Sequence, residues 1–212
     1  MIKSKLLLFT VLVLVLLSTA CGSGRTEPVL FSDDFSDNTS GWDQIQNEVG
    51  TAGYEQGSYR IFINKTSDFL IAGLSQDLSG DVSIEVTARK VDGPDDNYFG
   101  VVCHYQDPDN YYLMLISSSG RSAIAMMLDG EFGLISPGLQ PLIMEGIKLG
   151  SATNHIQADC VGEQMTLYAN GKQVSVAYDH HLSGGKVGLV AAAGQVVGGV
   201  DIRFDDFRVY QP

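Results

Sequence analysis

The chain has 212 residues, with 25 acidic against 13 basic side chains and a formal charge of −12 at pH 7. Nothing in it resembles a basic patch, which excludes nucleic-acid binding and adsorption to anionic lipid through the domain surface. The acidity keeps such a protein soluble and suits cation binding, but it identifies no partner.

The first twenty residues read as a leader. Lys3 and Lys5 open it, "LLLFTVLVLVLL" (6–17) is an apolar run too short for a comfortable membrane span, and "STAC" (18–21) closes it. Small residues directly before a cysteine resemble the lipobox of bacterial lipoproteins, with Ser18 where leucine commonly stands. That resemblance implies that Cys21 becomes the mature, acylated N-terminus, since more than one acyl chain is what makes anchoring stable. Loss of Lys3 and Lys5 would take the charge from −12 to −14. The expected organisation is 1–20 signal peptide, 21–29 acylated cysteine and flexible tether ("GSGRTEPV" is 22–29), and 30–212 one domain. Its location would be membrane-anchored, facing the periplasm or the cell exterior.

The body reads as strands. "DVSIEVTARKV" (81–91) places Val82, Ile84, Val86 and Ala88 on one face and Ser83, Glu85, Thr87 and Arg89 on the other, the pattern of a half-buried antiparallel strand. "NYFGVVCHYQDPDNYYLMLIS" (97–117) holds two strands around a "DPDN" turn, where Pro108 presets φ. By alternation Tyr105 shares a face with Val101 and Cys103, while His104 and Gln106 face the other way. "FGLISPGLQPLIMEGIKLG" (132–150) is the least legible stretch. "QMTLYANGKQVSVAYD" (164–179) is a hairpin on Asn170-Gly171, and "KVGLVAAA" (186–193) and "VDIRFDDFRVY" (200–210) complete the set. Cys103 and Cys160, in an exported chain, point to a disulfide; two separately buried thiols are the alternative.

The order of these pieces resembles the bacterial concanavalin A-like lectin/glucanase domains, including laminin G-like and 3-keto-disaccharide-hydrolase-like modules. The residues that carry it are "FSDDFSDNTSGW" (31–42), "GSYRI" (57–61), "FGVVCHYQDPDNYYLMLIS" (99–117), "NHIQADCVGEQMTLYANGKQV" (154–174), "GGKVGLVA" (184–191) and "FDDFRVY" (204–210). The resemblance implies an all-β fold, a two-sheet antiparallel jelly-roll sandwich with first and last strands adjacent.

Catalysis finds little support in the residues. Retaining glycosidases need two carboxylates about 5 Å apart, and laminarinase-like members carry them as Glu-x-Asp-x-x-Glu, yet no Glu-x-Asp occurs here. Glu85 has no carboxylate at i±2 or i+4, only Asp81 at i−4, and no Gly-x-Ser-x-Gly elbow is present. His104, His155, His180 and His181 stand in no zinc-ligand spacing. The expectation therefore leans away from an enzyme and toward a carbohydrate or cell-envelope glycan-binding module. A hydrolase of the 3-keto-disaccharide type and a protein-interaction domain are the alternatives. His104, Gln106, Tyr112 and Arg121 are the candidate groove residues, since sugars are held by flat aromatic faces and hydroxyl-fixing polar groups. Pairing of the first and last strands would also bring Asp33 or Asp34 toward Asp205 or Asp206, hard oxygen ligands suited to a structural Ca²⁺.

Overall fold

The computed structural model describes residues 26–78, 80–136 and 143–212. The leader, Cys21 and residues 137–142 of the illegible stretch lie outside these. Fifteen strands follow one another: β1 (Val29–Asp33), β2 (Ile45–Gln46), β3 (Gly50–Tyr54), β4 (Tyr59–Ile63), β5 (Phe69–Gly73), β6 (Val82–Asp92), β7 (Asn97–Asp107) and β8 (Asn110–Ile116). After them come β9 (Ser122–Leu128), β10 (Glu131–Leu134), β11 (Asn154–Val161), β12 (Gln164–Ala169), β13 (Lys172–Tyr178), β14 (Lys186–Ala193) and β15 (Val200–Tyr210).

They form two antiparallel sheets. The nine-stranded one runs β13-β12-β11-β6-β15-β4-β3-β2, with β1 pairing the C-terminal half of β15; the six-stranded one runs β10-β9-β8-β7-β14-β5. This is the all-β jelly-roll sandwich of the concanavalin A-like type, and its first and last strands are adjacent.

Alternation decides what lies between the sheets. Val82, Ile84, Val86 and Ala88 of β6 face Phe99, Val101, Tyr112, Met114 and Leu189 of the opposite sheet within one core, almost wholly removed from water. Each such large side chain contributes roughly 1.5–3 kcal/mol of burial. Cys103 on β7 and Cys160 on β11 are bonded across the interior, Cα atoms 6.7 Å apart, and so tie one sheet to the other. Asn170 (φ 51°) and Gly171 (φ 79°) close the β12–β13 hairpin, as their turn chemistry requires.

At the N-terminal end, Trp42 is buried among Phe31, Phe35, Tyr59 and Phe207. Its Nε1 donates to Asp33 Oδ2 at 2.9 Å. The "FSDDFSDNTSGW" stretch is thus an aromatic plug whose one polar atom is satisfied.

Two of the register slips re-aim candidate residues. On β7 the pairing slips between Cys103 and Asp107, and His104 adopts a left-handed φ of 50°. On β15 it slips between Asp205 and Arg208, with Asp206 at φ 51°. An extra residue in one strand re-phases everything after it.

Candidate functional site

The β7 bulge reverses the expected facing of the opening candidates. Tyr105 leaves the side shared by Val101 and Cys103 and packs on the outer face, while His104 turns inward. His104 is 3% exposed and Tyr112 1% exposed, so neither lines an open groove. Both lie beneath the 179–185 loop: His104 Nδ1 meets the Leu182 carbonyl at 3.2 Å, and the Tyr112 hydroxyl donates to Asp179 Oδ1 at 2.5 Å while accepting from Leu182 N at 3.0 Å. Burial holds the Tyr112 phenol far above its ordinary range, with Asp179 adding to the effect. Gln106 is exposed and donates to the Ser183 carbonyl at 3.3 Å. Arg121, also exposed, sits in the turn after β8, at the opposite end of that strand. The four candidates are not one site.

The four aspartates do approach one another, but they do not suit a cation. Asp33 is buried and its carboxylate already accepts from Phe35 N (2.8 Å), Trp42 Nε1 (2.9 Å) and the Ser40 hydroxyl. Asp34 caps Ser36 through Oδ1, Asp205 Oδ1 takes its neighbour's amide, and the Arg208 guanidinium stands 3.4 Å from Asp206. Among the described residues no three Asp, Glu, His or Cys converge as a metal site. Asp205 is held above its ordinary value by burial and by the charges of Asp206 and Asp34.

The outer face of the six-stranded sheet carries what the alternation concealed. Registers align Phe132, Met127 and Tyr111, and separately Tyr105 with Lys186, and the Tyr111 and Tyr105 rings join the two rows across the β7 bulge. The next row is Leu134, Ala125, Leu113, Val102, Gly188 and Gly73. A third runs Ala123, Leu115, Gly100, Val190 and Ile71. Gly100 is obligatory there, because a Cβ would stand 2.0 Å from the Met114 carbonyl oxygen. Small residues thus alternate with large ones along an apolar face. At its Tyr105 end the face has exposed or half-exposed rings: Phe132 is 60% exposed, and Tyr105 stacks on Tyr111 with centroids 5.5 Å apart and planes 20° off parallel. Burial raises the Tyr105 hydroxyl, and the carboxylates of Asp43, Asp107 and Asp109 around it do the same. Flat rings beside carboxylate acceptors, Gln106 and Lys186 are groups that hold a saccharide: its C–H face stacks and its hydroxyls are fixed from the rim.

The outer face of the nine-stranded sheet is polar instead. Glu85, with no carboxylate at i±2 along its strand, has one across strands: it is paired with Gln157, and Asp159 lies two residues further on β11. Diagonal neighbours of this kind stand roughly 7–8 Å apart, their Cβ atoms somewhat closer. Glu85 Oε2 is 3.6 Å from His155 Nε2 and accepts from Tyr210 OH at 3.5 Å. Asp159 accepts from Gln157 Nε2 at 3.1 Å and from the Ser83 hydroxyl. Strand pairing alone creates this carboxylate pair, and no local spacing signals it.

No protein-family model and no curated protein sequence matches the chain. Solved structures do. A carbohydrate-binding module, CBM66 from Bacillus subtilis, superposes with a TM-score of 0.63 at 18% identity, over 82% of this chain and 98% of that one. The β-glucanase of Bacillus licheniformis gives 0.61 at 11% identity, over 89% and 100%. The GH43 protein BlXynB from Bacillus licheniformis gives 0.62 at 16% identity, over 85% of this chain but only 39% of that one. The leaning away from an enzyme is overturned by these likenesses: one sandwich matched over its full length is a β-glucanase, so the fold gives no ground against an enzyme. At such identities what is shared is the concanavalin A-like sandwich, a fold whose solved examples bind glycans and cleave them.

Proposed function

We propose that this is an extracytoplasmic, glycan-engaging domain, held to a bacterial membrane through an acylated Cys21. It meets its saccharide at the Tyr105 end of the outer six-stranded face. The observation that carries the reading is the band Phe132–Met127–Tyr111 and Tyr105–Lys186, two registered rows joined across the β7 bulge by the stacked rings of Tyr111 and Tyr105, beside the acidic groups around Tyr105. The likeness to a carbohydrate-binding module supports it. The test is retention of the full-length protein, in detergent, on a panel of insoluble polysaccharides and cell-envelope glycans. Tyr105→Ala and Phe132→Ala should each weaken retention several-fold, since one stacked ring is worth about 0.5–1.5 kcal/mol beyond its area. A folded protein retained by none of the polymers overturns the reading.

A second reading, glycan cleavage, is favoured by Glu85 and Asp159 on one face of adjacent strands. Glycosidases use two carboxyl groups about 5–9.5 Å apart, and a diagonal pair on adjacent strands places its side chains on one face within reach of such a separation. Reducing ends followed in the same incubations test it: release abolished by both Glu85→Gln and Asp159→Asn supports cleavage by this pair. Release unaffected by either variant, or none at all, removes it.

A further inference from the structure

On the outer face of the nine-stranded sheet, Arg89 of β6 stands directly opposite Arg203 of β15, and Arg203 directly opposite Arg60 of β4. Three guanidinium groups in one cross-strand row repel one another, and such facing like charges destabilise a sheet unless compensated. Two of the three are compensated. Arg60 donates to both oxygens of Asp201 and to Glu55, and Arg203 reaches Glu55 Oε1 at 2.7 Å and the Glu55 carbonyl at 3.0 Å. Arg89 is exposed and has no carboxylate partner among the described residues.

The unpaired group lines an open cleft of about 460 Å³ between the β3–β4 turn and strands β6 and β15. Gln56, Ser58, Thr87 and Thr153 contribute hydroxyl and amide groups to its walls. Gln56 (φ 54°) and Gly57 (φ 73°) form the two-residue turn of the β3–β4 hairpin, which places the Gln56 side chain at the mouth of the cleft. Thr87 is fixed by donating to the Asp205 carbonyl at 3.1 Å, which leaves the Asp205 carboxylate at the rim.

We infer that this cleft binds a carboxylate-bearing saccharide residue, a uronic acid, whose carboxylate is taken by Arg89 and whose hydroxyls meet Gln56, Thr87 and Thr153. A guanidinium presents two parallel N–H donors that match a carboxylate, and such charge-assisted pairs are about twice as strong as neutral hydrogen bonds. The site extends the glycan reading to the opposite sheet, through different chemistry and different residues.

The probe is trigalacturonate, titrated calorimetrically into the full-length protein in detergent, with its methyl ester as the uncharged control and inorganic phosphate as a competitor. The acid binds and the ester does not. Arg89→Gln, a change at an exposed position without a partner, weakens binding by about tenfold or more, the range of one lost charge-assisted contact. Arg89→Lys retains part of it, and Asp205→Asn strengthens it by removing a rim carboxylate. Equal binding of acid and ester, no binding of the acid, or displacement by phosphate at equal concentration each overturns the inference. Binding lost in Tyr105→Ala but kept in Arg89→Gln returns the acidic saccharide to the six-stranded face and sinks this site while sparing the other.

Discussion

Asp33 shows how one carboxylate determines a neighbourhood. Its two oxygens hold the Phe35 amide, the Trp42 indole and the Ser40 hydroxyl, and these three contacts position the plug of aromatic rings. Asp205 is the opposite case: a carboxylate at the rim of the arginine cleft whose neighbours Asp206 and Asp34 repel it, with burial the larger cause of its raised affinity for protons. A carboxylate whose folded affinity exceeds its ordinary one penalises folding while ionised. The penalty is complete above the raised value and vanishes as pH falls below the ordinary 3.8. Asp205→Asn should therefore be neutral to slightly stabilising at pH 7, by up to about 0.5 kcal/mol as for other surface sites, and indifferent at pH 3. Urea midpoints of the two proteins at both pH values check this. Tyr112 sits at the other extreme, since its hydroxyl serves Asp179 and Leu182 N together. Tyr112→Phe leaves both without that partner and should cost about 1–3 kcal/mol, read as a lower urea midpoint with an unchanged slope. Were the midpoint unchanged, the loop would be resting on its backbone contacts alone.

At the scale of elements, the bulge in β7 and the loop that covers it act together. Gly185 (φ 122°) passes so close that a Cβ would lie 2.6 Å from the Tyr105 carbonyl oxygen, and Leu182 is buried over His104. Gly185→Ala should cost about 1–3 kcal/mol as strain and loosen the loop first, seen as faster amide exchange at Leu182 than at β8. Acid should loosen the same loop in two stages. Burial holds the His104 ring below its ordinary 6.5, so the unfolded chain takes up a proton there that the folded one refuses, and stability falls as pH drops through 6.5. For Asp179, burial pushes upward but the donors Tyr112 and His181 outweigh it and leave the carboxyl below its ordinary 3.8. That second contribution is present above 3.8 and lost as pH falls through the lowered value. Leu182 exchange that is flat from pH 7 to pH 4.5, after correction for intrinsic rates, would contradict the first stage. These bulges also mark where sequence reasoning stopped. Simple alternation locates β8, β12, β6 as far as Lys90 and β7 as far as Cys103, because period two survives wherever no residue is inserted. It fails at His104 and at Asp205-Asp206, where one left-handed residue turns the following side chains over. The paired glycines of "SGGK" are the trace in the sequence of the close approach at the first bulge, but they do not say what they approach.

Across the whole molecule, the two outer faces are chemically opposed although the sandwich between them is uniform. Rings and small residues cover the six-stranded sheet, and arginines, carboxylates and amides the nine-stranded one. Neither face was legible as a site in advance, because each is assembled by registers between strands far apart in the chain: Arg89 meets Arg203, and Glu85 meets Gln157 and Asp159. The ordered landmarks sufficed for the fold because a jelly roll constrains order strongly, while the partners across strands depend on slips of a single residue. What holds the two faces to one body, besides the shared core, is the bond from Cys103 to Cys160, which joins positions 57 residues apart. In the chain-entropy account a loop of that length restricts the unfolded state by about 4 kcal/mol. Replacing both cysteines by alanine should lower stability by about 2–4 kcal/mol, chiefly through the unfolded chain, because each sulfur already sits in a closed apolar core that two methyl groups fill only in part. Both sheets should persist, with far-ultraviolet circular dichroism unchanged below the transition. The urea slope should rise slightly as the freed unfolded chain exposes more surface. A double variant as stable as the parent would mean that packing alone couples the sheets and that the bond restrains an unfolded state already compact. Collapse of the six-stranded sheet alone would show instead that this face depends on the bond to keep its registers, and with them the row on which Tyr105 and Phe132 stand.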